Sequence, residues 1–531
     1  MRILSKLNFS GKHEKIQVNA KNDLIYSSSK LFLSSLSVGV FCFSLNAQEV
    51  NIIYILADDL GYGDLGCYGQ EKIETPNIDA LANNGIRFTQ HYSSSPVCAP
   101  ARCMLLTGKH SGHAQNRGND EWPERGKVWD FNEVVNNPYL EGQRPMKDGT
   151  STIGSYLQNA GYKTAIIGKW GLGGPLTNSI PNKLGFDFFY GYNCQRQAHT
   201  YFPLHLWHNS EKEFLNNKLV PPNTKILEGS NIYDLDSYKD FWLNEYSSEL
   251  MQKEALKFIE DHKEVPFFLY YANPIPHVPL QAPKRWIDYY IKKFGDEEPY
   301  IGDKGYFPQR YPKACYAAMV SYFDEQVGEL VEILDQLDIL QNTIIIISSD
   351  NGPTYNGGTE SPWFNSAGPF KCEEGWGKAN LTEGGIRVPM IAHWPKKIKA
   401  GEVSEHISVQ YDILPTLCEL VGIQIPKDID GISFLPTLIG DIQYRKHDFL
   451  YWEYPASGGQ QAVRVGKWKG IRKNMFQNDL RIKLYDLEND EVEQYDVSDK
   501  NPEVVELMEQ IFKREHIPSP IDRFKFSSLN D

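Results

Sequence analysis

Two pairs of polar side chains each follow an apolar stretch of the chain. Asp58 and Asp59 come directly after one continuous apolar run, and Asp350 and Asn351 follow another. Carboxylate and amide oxygens are hard ligands that suit calcium or magnesium. One such pair is more often a turn or a helix cap. Two pairs, each at the end of a predicted strand, favour a site for a divalent metal.

Cys98 begins a short motif that could carry a nucleophile. Pro100 suits the first turn of a helix, so Cys98 is predicted at or just before a helix N-terminus. The free N–H groups and the helix dipole favour an anion there. Taken alone, this position is more typical of a buried or mildly acidic cysteine beside a helix cap. The acidic pairs are what favour a chemical role.

Extended and helical patterns alternate along most of the chain. Strands are predicted at 50–56, 162–167, 266–271 and 343–348, and helices at 75–84, 152–160, 248–262 and 316–337. Such alternation predicts an α/β fold with a large, mostly parallel mixed sheet and helices on both faces. In that architecture functional side chains gather at the carboxyl ends of strands.

After about residue 440 the pattern changes to short strands at 449–454, 462–465, 468–472 and 482–487, with a helix at 502–515. We therefore predict a catalytic domain at 48–440 and a C-terminal α+β subdomain at 441–531 with a short antiparallel sheet. Residues 117–150 lack periodicity and are predicted to form a long, ordered surface loop.

The N-terminus has the pattern of an export signal. Lys30 precedes an apolar stretch at 31–45, and a small-residue cleavage site follows at 45–47. We predict a signal peptide at 1–47 and a secreted or periplasmic protein. An uncleaved membrane anchor is the alternative, but about 15 residues interrupted by serines are short for one.

Charge makes nucleic acid an unsuitable partner. The 531-residue chain has a net charge of −14, and residues 1–47 carry six Lys and Arg against two Asp and Glu, which leaves −18 on the remainder. Non-specific nucleic-acid binding needs phosphate neutralisation by Lys and Arg. An anionic substrate stays possible, because a bound divalent metal can invert the local field. No internal run approaches membrane-spanning length, so no stable membrane insertion is expected.

These motifs together resemble the formylglycine-dependent type I sulfatase family, which has the alkaline-phosphatase-like fold. Residues 98–102, Cys-Ala-Pro-Ala-Arg, resemble its modification motif, and residues 51–66 and 348–352 resemble its two acidic segments. Four further segments of this chain resemble landmarks of the family: residues 161–170, 378–389, 411–416 and 484–487. The resemblance covers nearly all of the chain after residue 47.

The resemblance implies a set of site residues. One calcium ion would be held by five ligands: Asp58, Asp59, Asp350, Asn351 and the modified Cys98. Arg102 would stabilise the formylglycine hydrate, while Lys169, Lys378 and His277 would contact the sulfate. A histidine alone after a strand is usually structural, so the role of His277 depends on the resemblance.

The family's chemistry begins with a maturation enzyme that oxidises the cysteine to formylglycine. One hydroxyl of the hydrated aldehyde attacks sulfur, and the second then allows sulfate to be expelled. Here His277 or Lys378 would protonate the leaving alcohol.

One position departs from the family. A histidine commonly stands two residues after the lysine that matches Lys169, and this chain has Gly171 there. His199 is the first candidate to replace it and His113 the second. His199 lies in the segment 191–207, whose aromatic, amide and basic groups suit a sugar but are equally typical of a packed aromatic loop.

Export and the resemblance favour a sulfated saccharide of the galactose or N-acetylgalactosamine type, within the degradation of a sulfated polysaccharide. Two alternatives remain: a metal-dependent phosphodiesterase or phosphonate hydrolase of the same superfamily, and a degenerate relative that only binds glycan. The C-terminal subdomain is predicted to help close the substrate cleft through Trp452, Glu453, Tyr454 and Gln461.

Overall fold

The computed structural model describes residues 50–531. The predicted signal peptide at 1–47 lies outside the described residues. None of the helices within 50–531 is both long and apolar enough to cross a bilayer.

The strands, in chain order, are β1 (Asn51–Ala57), β2 (Ile86–Phe88), β3 (His91–Tyr92), β4 (Lys163–Lys169), β5 (Phe188–Tyr192), β6 (His205–His208), β7 (Glu211–Phe214), β8 (Phe267–Ala272), β9 (Thr343–Ser349), β10 (Met390–His393), β11 (Glu402–Ser404), β12 (Ser408–Val409), β13 (Leu450–Tyr454), β14 (Gln460–Val465), β15 (Trp468–Arg472) and β16 (Lys483–Asp486).

The helices are α1 (Pro76–Asn83), α2 (Cys98–Thr107), α3 (Phe131–Asn136), α4 (Ile153–Asn159), α5 (Ser247–His262), α6 (Lys284–Phe294), α7 (Pro312–Gln336), α8 (Ser361–Phe364), α9 (Glu383–Ile386), α10 (Ile413–Leu420), α11 (Leu435–Leu438) and α12 (Pro502–Glu515).

A ten-stranded sheet forms the centre of the molecule, in the order β11-β2-β10-β9-β1-β8-β4-β5-β6-β7. Its five central strands, from β9 to β5, run parallel. Antiparallel pairs lie towards both margins. The predicted large, mostly parallel mixed sheet is therefore confirmed.

Both faces of this sheet are covered, which explains why the central strands contain runs of consecutive apolar residues rather than alternating ones. Along β1, Ile53 and Ile55 pack into one core together with α5 and α7. Ile52 and Tyr54 point the other way, into a second core that includes α2, α4 and α10. The two cores hold the carboxyl ends of the parallel strands at one common edge.

The C-terminal segment forms a four-stranded antiparallel sheet, β13-β14-β15-β16, as predicted. One face packs against α12 through a cluster that contains Tyr451 and Phe512. The opposite face packs on the catalytic region, where Trp452 lies against Tyr92. The boundary at residue 440 stays a prediction.

Residues 117–150 are mostly irregular, as predicted, but they contain the short helix α3. Val134 of this helix packs with Val128 and Leu140 in a small cluster of its own. That local core explains how a long segment without periodicity remains ordered.

Candidate active site

The two acidic pairs meet at the carboxyl edge of the large sheet. β1 and β9 are parallel neighbours in register, with Ala57 opposite Ser349, so the residues that follow them lie side by side. The backbone N–H of Asp59 donates to Asp350 Oδ1 at 3.2 Å. Residues 58, 59, 350 and 351 are all buried. The predicted clustering of these side chains is present in the structure.

Asp59 has a left-handed backbone conformation, with φ of 67°. Successive residues of an extended strand point to opposite faces, whereas this turn brings carboxylate oxygens of Asp58 and Asp59 within 4.8 Å of each other and of a His277 ring nitrogen. Asp tolerates this conformation better than most residues do. The left-handed turn at Asp59 therefore places both carboxylates in the same site.

Cys98 is the first residue of α2, after an extended Val97 at the N-cap. This is the placement that Pro100 predicted. The thiol is buried, and Asn119 Nδ2 lies 3.9 Å from its Sγ atom. Burial raises the pKa of the Cys98 thiol, although Lys169 and Lys378 oppose that effect. The unmodified thiol is therefore poorly suited to act as a thiolate.

Two buried cations lie beside Cys98. Lys169, the last residue of β4, donates from Nζ to Asp58 Oδ2 at 2.5 Å and lies 3.6 Å from Cys98 Sγ. Arg102, one turn along α2, donates from Nη2 to Asp350 Oδ2 at 2.9 Å and lies 3.3 Å from Asp58 Oδ2. Arg102 thus clamps two of the predicted metal ligands, and its implied contact with a hydrate stays a prediction.

Lys378 approaches from the open side of the cluster. Its Nζ atom lies 2.6 Å from Asp59 Oδ1, and its side chain is 16% exposed, whereas that of Lys169 is fully buried. Three carboxylates are thus balanced by three cations. A divalent metal added to this neutral set would leave a positive field that suits an anionic ester.

The carboxylates of this cluster differ in their proton affinities. Burial alone would raise the pKa of Asp58, but the charge of Lys169 outweighs burial and holds that pKa well below its usual range. Burial and the charge of Asp58 raise the pKa of Asp350 to about 7, against the opposing effect of Arg102. The negative charges of these neighbouring carboxylates repel one another, and a bound cation would reduce that repulsion.

Two buried oxygen atoms of the predicted metal ligands have no hydrogen-bond partner among residues 50–531: Asp58 Oδ1 and Asn351 Oδ1. Asn351 uses its Nδ2 atom to donate to Asp59 Oδ1 at 2.7 Å. Ligand atoms of Asp58, Cys98 and Asp350 lie within 4.8 Å of one another. Unsatisfied buried oxygens are costly, and they are the ligands that calcium prefers. The residues present therefore fit the predicted cation.

His277 and His199 both lie at this site. His277 donates from Nδ1 to the Val278 carbonyl at 2.5 Å, which leaves Nε2 facing Asp59 Oδ2 at 3.8 Å. The ring of His199 stacks on that of His277 with centroids 5.5 Å apart, and Tyr306 packs edge-on against both. Burial, followed by neighbouring cations, lowers the pKa of His277. A catalytic role for His199 stays a prediction.

The space beside Gly171 is filled by Gln195. Gly171 has φ of 73°, and a Cβ atom there would lie 3.0 Å from Gln195 Oε1. That oxygen is buried and has no hydrogen-bond partner among residues 50–531. Gln195 is fixed by its backbone N–H, which donates to Gln143 Oε1 at 2.9 Å. Gln195, rather than a histidine, therefore lies beside Gly171, the position at which this chain departs from the family.

His113 does not lie at the site. Its Nδ1 atom is 2.8 Å from Asp430 Oδ1, beyond the C-terminal end of α2, whereas Cys98 is at the N-terminal end. Ten helical residues span about 15 Å. The suggestion that His113 replaces the family's histidine is therefore wrong.

Of the four residues predicted to line the cleft, the C-terminal sheet turns Trp452 and Tyr454 towards the catalytic region but not Glu453 and Gln461. Trp452 Nε1 donates to the Ser93 carbonyl at 2.8 Å, and the pKa of Tyr454 is raised to about 12 by burial. Glu453 points to the opposite face and is fully buried, as is Gln461, which lies across from it. The expectation that Glu453 and Gln461 line the cleft is wrong, because alternate residues of a strand face opposite sides.

Three residues near the site were missed in the sequence analysis. Asn119 belongs to the irregular segment 117–150, and Tyr306 lies in a loop between α6 and α7, so neither gave a periodic signal. Gln195 stands in the polar and aromatic segment 191–207. Its buried amide would have been singled out only if its position beside Gly171 had been known.

Comparison with known proteins agrees with this geometry. The sulfatase family model matches residues 50–423, and the model of the N-sulphoglucosamine sulphohydrolase C-terminal region matches residues 372–516. An N-acetylgalactosamine-6-O-sulfatase of Bacteroides thetaiotaomicron is 30% identical, over 88% of this chain and 94% of that protein. The human N-acetylgalactosamine-6-sulfatase is 32% identical, over 81% of this chain and 74% of that protein.

Solved structures have the same fold. Ps i-CgsB, solved in complex with a neocarrahexaose, has a TM-score of 0.68 and 28% identity, and covers 88% of this chain and 93% of its own. The phosphonate monoester hydrolase of Agrobacterium radiobacter has a TM-score of 0.58 at 17% identity, over 88% of this chain and 96% of its own, which shows the fold alone. The family match over most of the chain shows that this protein is a type I sulfatase, a hydrolase of sulfuric esters.

Proposed function

We propose that a maturation enzyme converts Cys98 to formylglycine and that the modified residue cleaves sulfate from a saccharide, with one bound calcium ion. The observation that carries this proposal is the pair of unpartnered buried oxygens, Asp58 Oδ1 and Asn351 Oδ1, among the predicted metal ligands. The calcium ligands would be Asp58, Asp59, Asp350, Asn351 and residue 98. When bound, the ion would offset negative charge on the sulfate oxygens.

The surrounding cations divide into two roles. Lys169 is fully buried between Asp58 and Cys98, so it is suited to hold residue 98 and an oxygen attached to it. Lys378 is partly exposed and can reach an ester that enters from solvent. Both would stabilise negative charge that grows on the sulfuryl oxygens as the ester bond breaks.

His277 is oriented for work at its Nε2 atom. Because a carbonyl can only accept, the bond to Val278 places the proton of the neutral ring on Nδ1 and leaves Nε2 unprotonated towards the site. In that state Nε2 can accept a proton or a hydrogen bond. Protonation of the leaving alcohol by His277 requires the ring to be charged first, so Lys378 is the better placed donor.

The relatives support a carbohydrate substrate. Two of them are N-acetylgalactosamine-6-sulfatases by name, and Ps i-CgsB was solved with a neocarrahexaose. We infer that this chain acts on a 6-sulfated galactose or N-acetylgalactosamine residue. Release from a sulfated polysaccharide outside the cell or in the periplasm would agree with the export signal predicted at 1–47.

A panel of esters tests this function. Sulfate release should be fastest from N-acetylgalactosamine 6-sulfate or galactose 6-sulfate, slower from 4-nitrophenyl sulfate, and slowest from matched phosphodiesters and phosphonate esters. Faster turnover of the phosphorus esters would instead support a phosphonate hydrolase. Saccharide binding without sulfate release, in protein that carries formylglycine, would support a glycan-binding relative.

A further inference from the structure

A small pocket lies between the loop that carries Lys378 and the C-terminal sheet. It has a volume of about 200 Å³, and its lining includes Lys473, Arg481, Lys483, Trp376 and Tyr485. This is room for one charged group of a ligand rather than for a complete oligosaccharide. Three cations and two aromatic rings make it chemically unlike the rest of a strongly acidic chain.

The cations of this pocket outnumber the carboxylates that line it. Within residues 50–531, none of Lys473, Arg481 and Lys483 makes an ion pair, and Lys473 Nζ donates only to the Gly375 carbonyl, at 3.2 Å. Asp479 is the one carboxylate in the described lining, and its Oδ1 atom accepts from the backbone N–H of Arg481. Three cations against one carboxylate therefore leave a net positive charge in the pocket lining.

Trp376 extends this positive surface. The ammonium group of Lys473 lies 5.5 Å from the centroid of the Trp376 ring, and that of Lys371 lies 4.0 Å from it. Burial, together with Lys469 and Lys483, lowers the pKa of Lys473, against the effect of Glu493. Cations crowded in this way bind an anion favourably, because the anion removes their mutual repulsion.

The pocket is connected to the active site by one short segment. Trp376 precedes Lys378 by two residues, a separation of at most about 7 Å along the chain. The Lys378 backbone N–H is fixed by the Pro353 carbonyl at 3.0 Å, and its Nζ atom lies on Asp59. The same loop thus contributes to the reaction site on one side and to the cationic pocket on the other.

We propose that this pocket is a subsite for a second anionic group, a sulfate or a carboxylate, on a sugar next to the one that reacts at Cys98. The inference rests on the proposed saccharide function and extends it, because it makes the enzyme selective for oligosaccharides with more than one charge. Trp376 and Tyr485 would contact the apolar face of that neighbouring sugar.

The double variant Arg481→Ala/Lys483→Ala tests the subsite. The probes are N-acetylgalactosamine 6-sulfate and a chondroitin 6-sulfate oligosaccharide that ends in the same residue. The ratio of kcat/KM for the oligosaccharide to that for the monosaccharide should fall about tenfold. Added NaCl should reduce this ratio in the wild type more than in the variant. An unchanged ratio would overturn the subsite.

The control is Lys396→Ala/Lys397→Ala. Both lysines are exposed, and they follow β10, which is antiparallel to β9, so they lie at the opposite edge of the sheet. Calorimetric titration of the oligosaccharide into a Cys98→Ala protein separates binding from turnover. Weaker binding in the pocket variant alone supports the subsite even if the proposed chemistry fails. Equal affinity, or no binding by either protein, overturns it.

Discussion

At the scale of single residues, Gly171 shows how a departure from a family pattern is absorbed by its surroundings. Its backbone is left-handed, and a Cβ atom there would lie 3.0 Å from Gln195 Oε1, so Gln195 would have to shift to admit one. The positive φ therefore favours glycine over histidine at this position. The polar side chain that lies beside this position is Gln195, from the segment after β5.

Gly171→Ala should therefore lower both stability and activity. The positive φ costs about 1–2 kcal/mol for alanine, and the new Cβ atom also requires Gln195 Oε1 to move by a few tenths of an ångström. Gly161→Ala is the matched control, because Gly161 has φ of 93° but open space around its Cβ position. Urea unfolding should give a larger loss for Gly171→Ala. Equal losses would mean that Gln195 does not fill that space.

Asn351 tests the proposed calcium ligands without removing a charge. Asn351→Ala deletes the unpartnered Oδ1 atom, whereas Asn351→Asp keeps an oxygen there. Calcium affinity should fall at least about tenfold in Asn351→Ala and be retained in Asn351→Asp. The readout is the calcium-dependent rise in the melting temperature. The same rise in the wild type and in both variants would exclude Asn351 as a ligand.

At the scale of secondary-structure elements, neighbouring residues of β13 pack on opposite faces of the C-terminal sheet. Trp452 and Tyr454 face the catalytic region, while Glu453 faces α12. Glu453 pairs with Arg117 and accepts from His516 Nδ1 at 2.8 Å. The buried carboxylate therefore ties the C-terminal sheet to the segment that follows the nucleophile helix.

Glu453→Gln should destabilise the protein by about 3–5 kcal/mol, because it leaves Arg117 buried without a counter-charge. Its relative activity on saccharide and aryl sulfates should be unchanged. Asp261→Asn is the control, since the exposed Lys257–Asp261 pair contributes at most about 1 kcal/mol. Denaturant unfolding measures both. A loss of activity on the saccharide alone would indicate that Glu453 lines the substrate cleft.

The elements that could be predicted from sequence are those with a strong local signal. β1 and β9 are apolar runs, and oxygen-bearing side chains that suit a metal follow each of them. Because these side chains come directly after predicted parallel strands, the sequence predicted both the strands and the place of the site at their carboxyl ends. The face of β13 could not be predicted, because all five of its residues are buried and no alternation marks the outer side. Asn119 and Gln195 lie in segments without hydrophobic periodicity, so their positions near the site could not be predicted from the sequence pattern.

At the scale of the whole molecule, His516 joins distant parts of the chain. His516 lies after α12 and contacts Glu453 and Asp531, each at 2.8 Å. Burial lowers the pKa of His516, but these carboxylates outweigh burial and raise it above its ordinary value. The contact therefore stabilises the fold most at pH values below about 6.5, where the histidine is charged in both the folded and unfolded states.

The advantage of the wild type over His516→Gln should accordingly shrink as pH rises from 6 to 9. Stability from this pair is lost as the folded protein releases the proton, at a pH above that of the unfolded chain. Chemical unfolding of both proteins at pH 6, 7, 8 and 9 measures the difference. A difference that stays constant, or grows with pH, would contradict the assignment of His516 as a charged partner of Glu453.

The central claim is that residue 98 acts as formylglycine. Tryptic cleavage after Arg87 and Arg102 isolates the peptide 88–102, and its mass reports whether residue 98 carries CH₂SH or CHO. Protein prepared with different amounts of a maturation enzyme should give a series of aldehyde fractions. Sulfate release per molecule should rise in proportion to that fraction and vanish when it is zero. Full activity in protein whose residue 98 is entirely thiol would contradict the account.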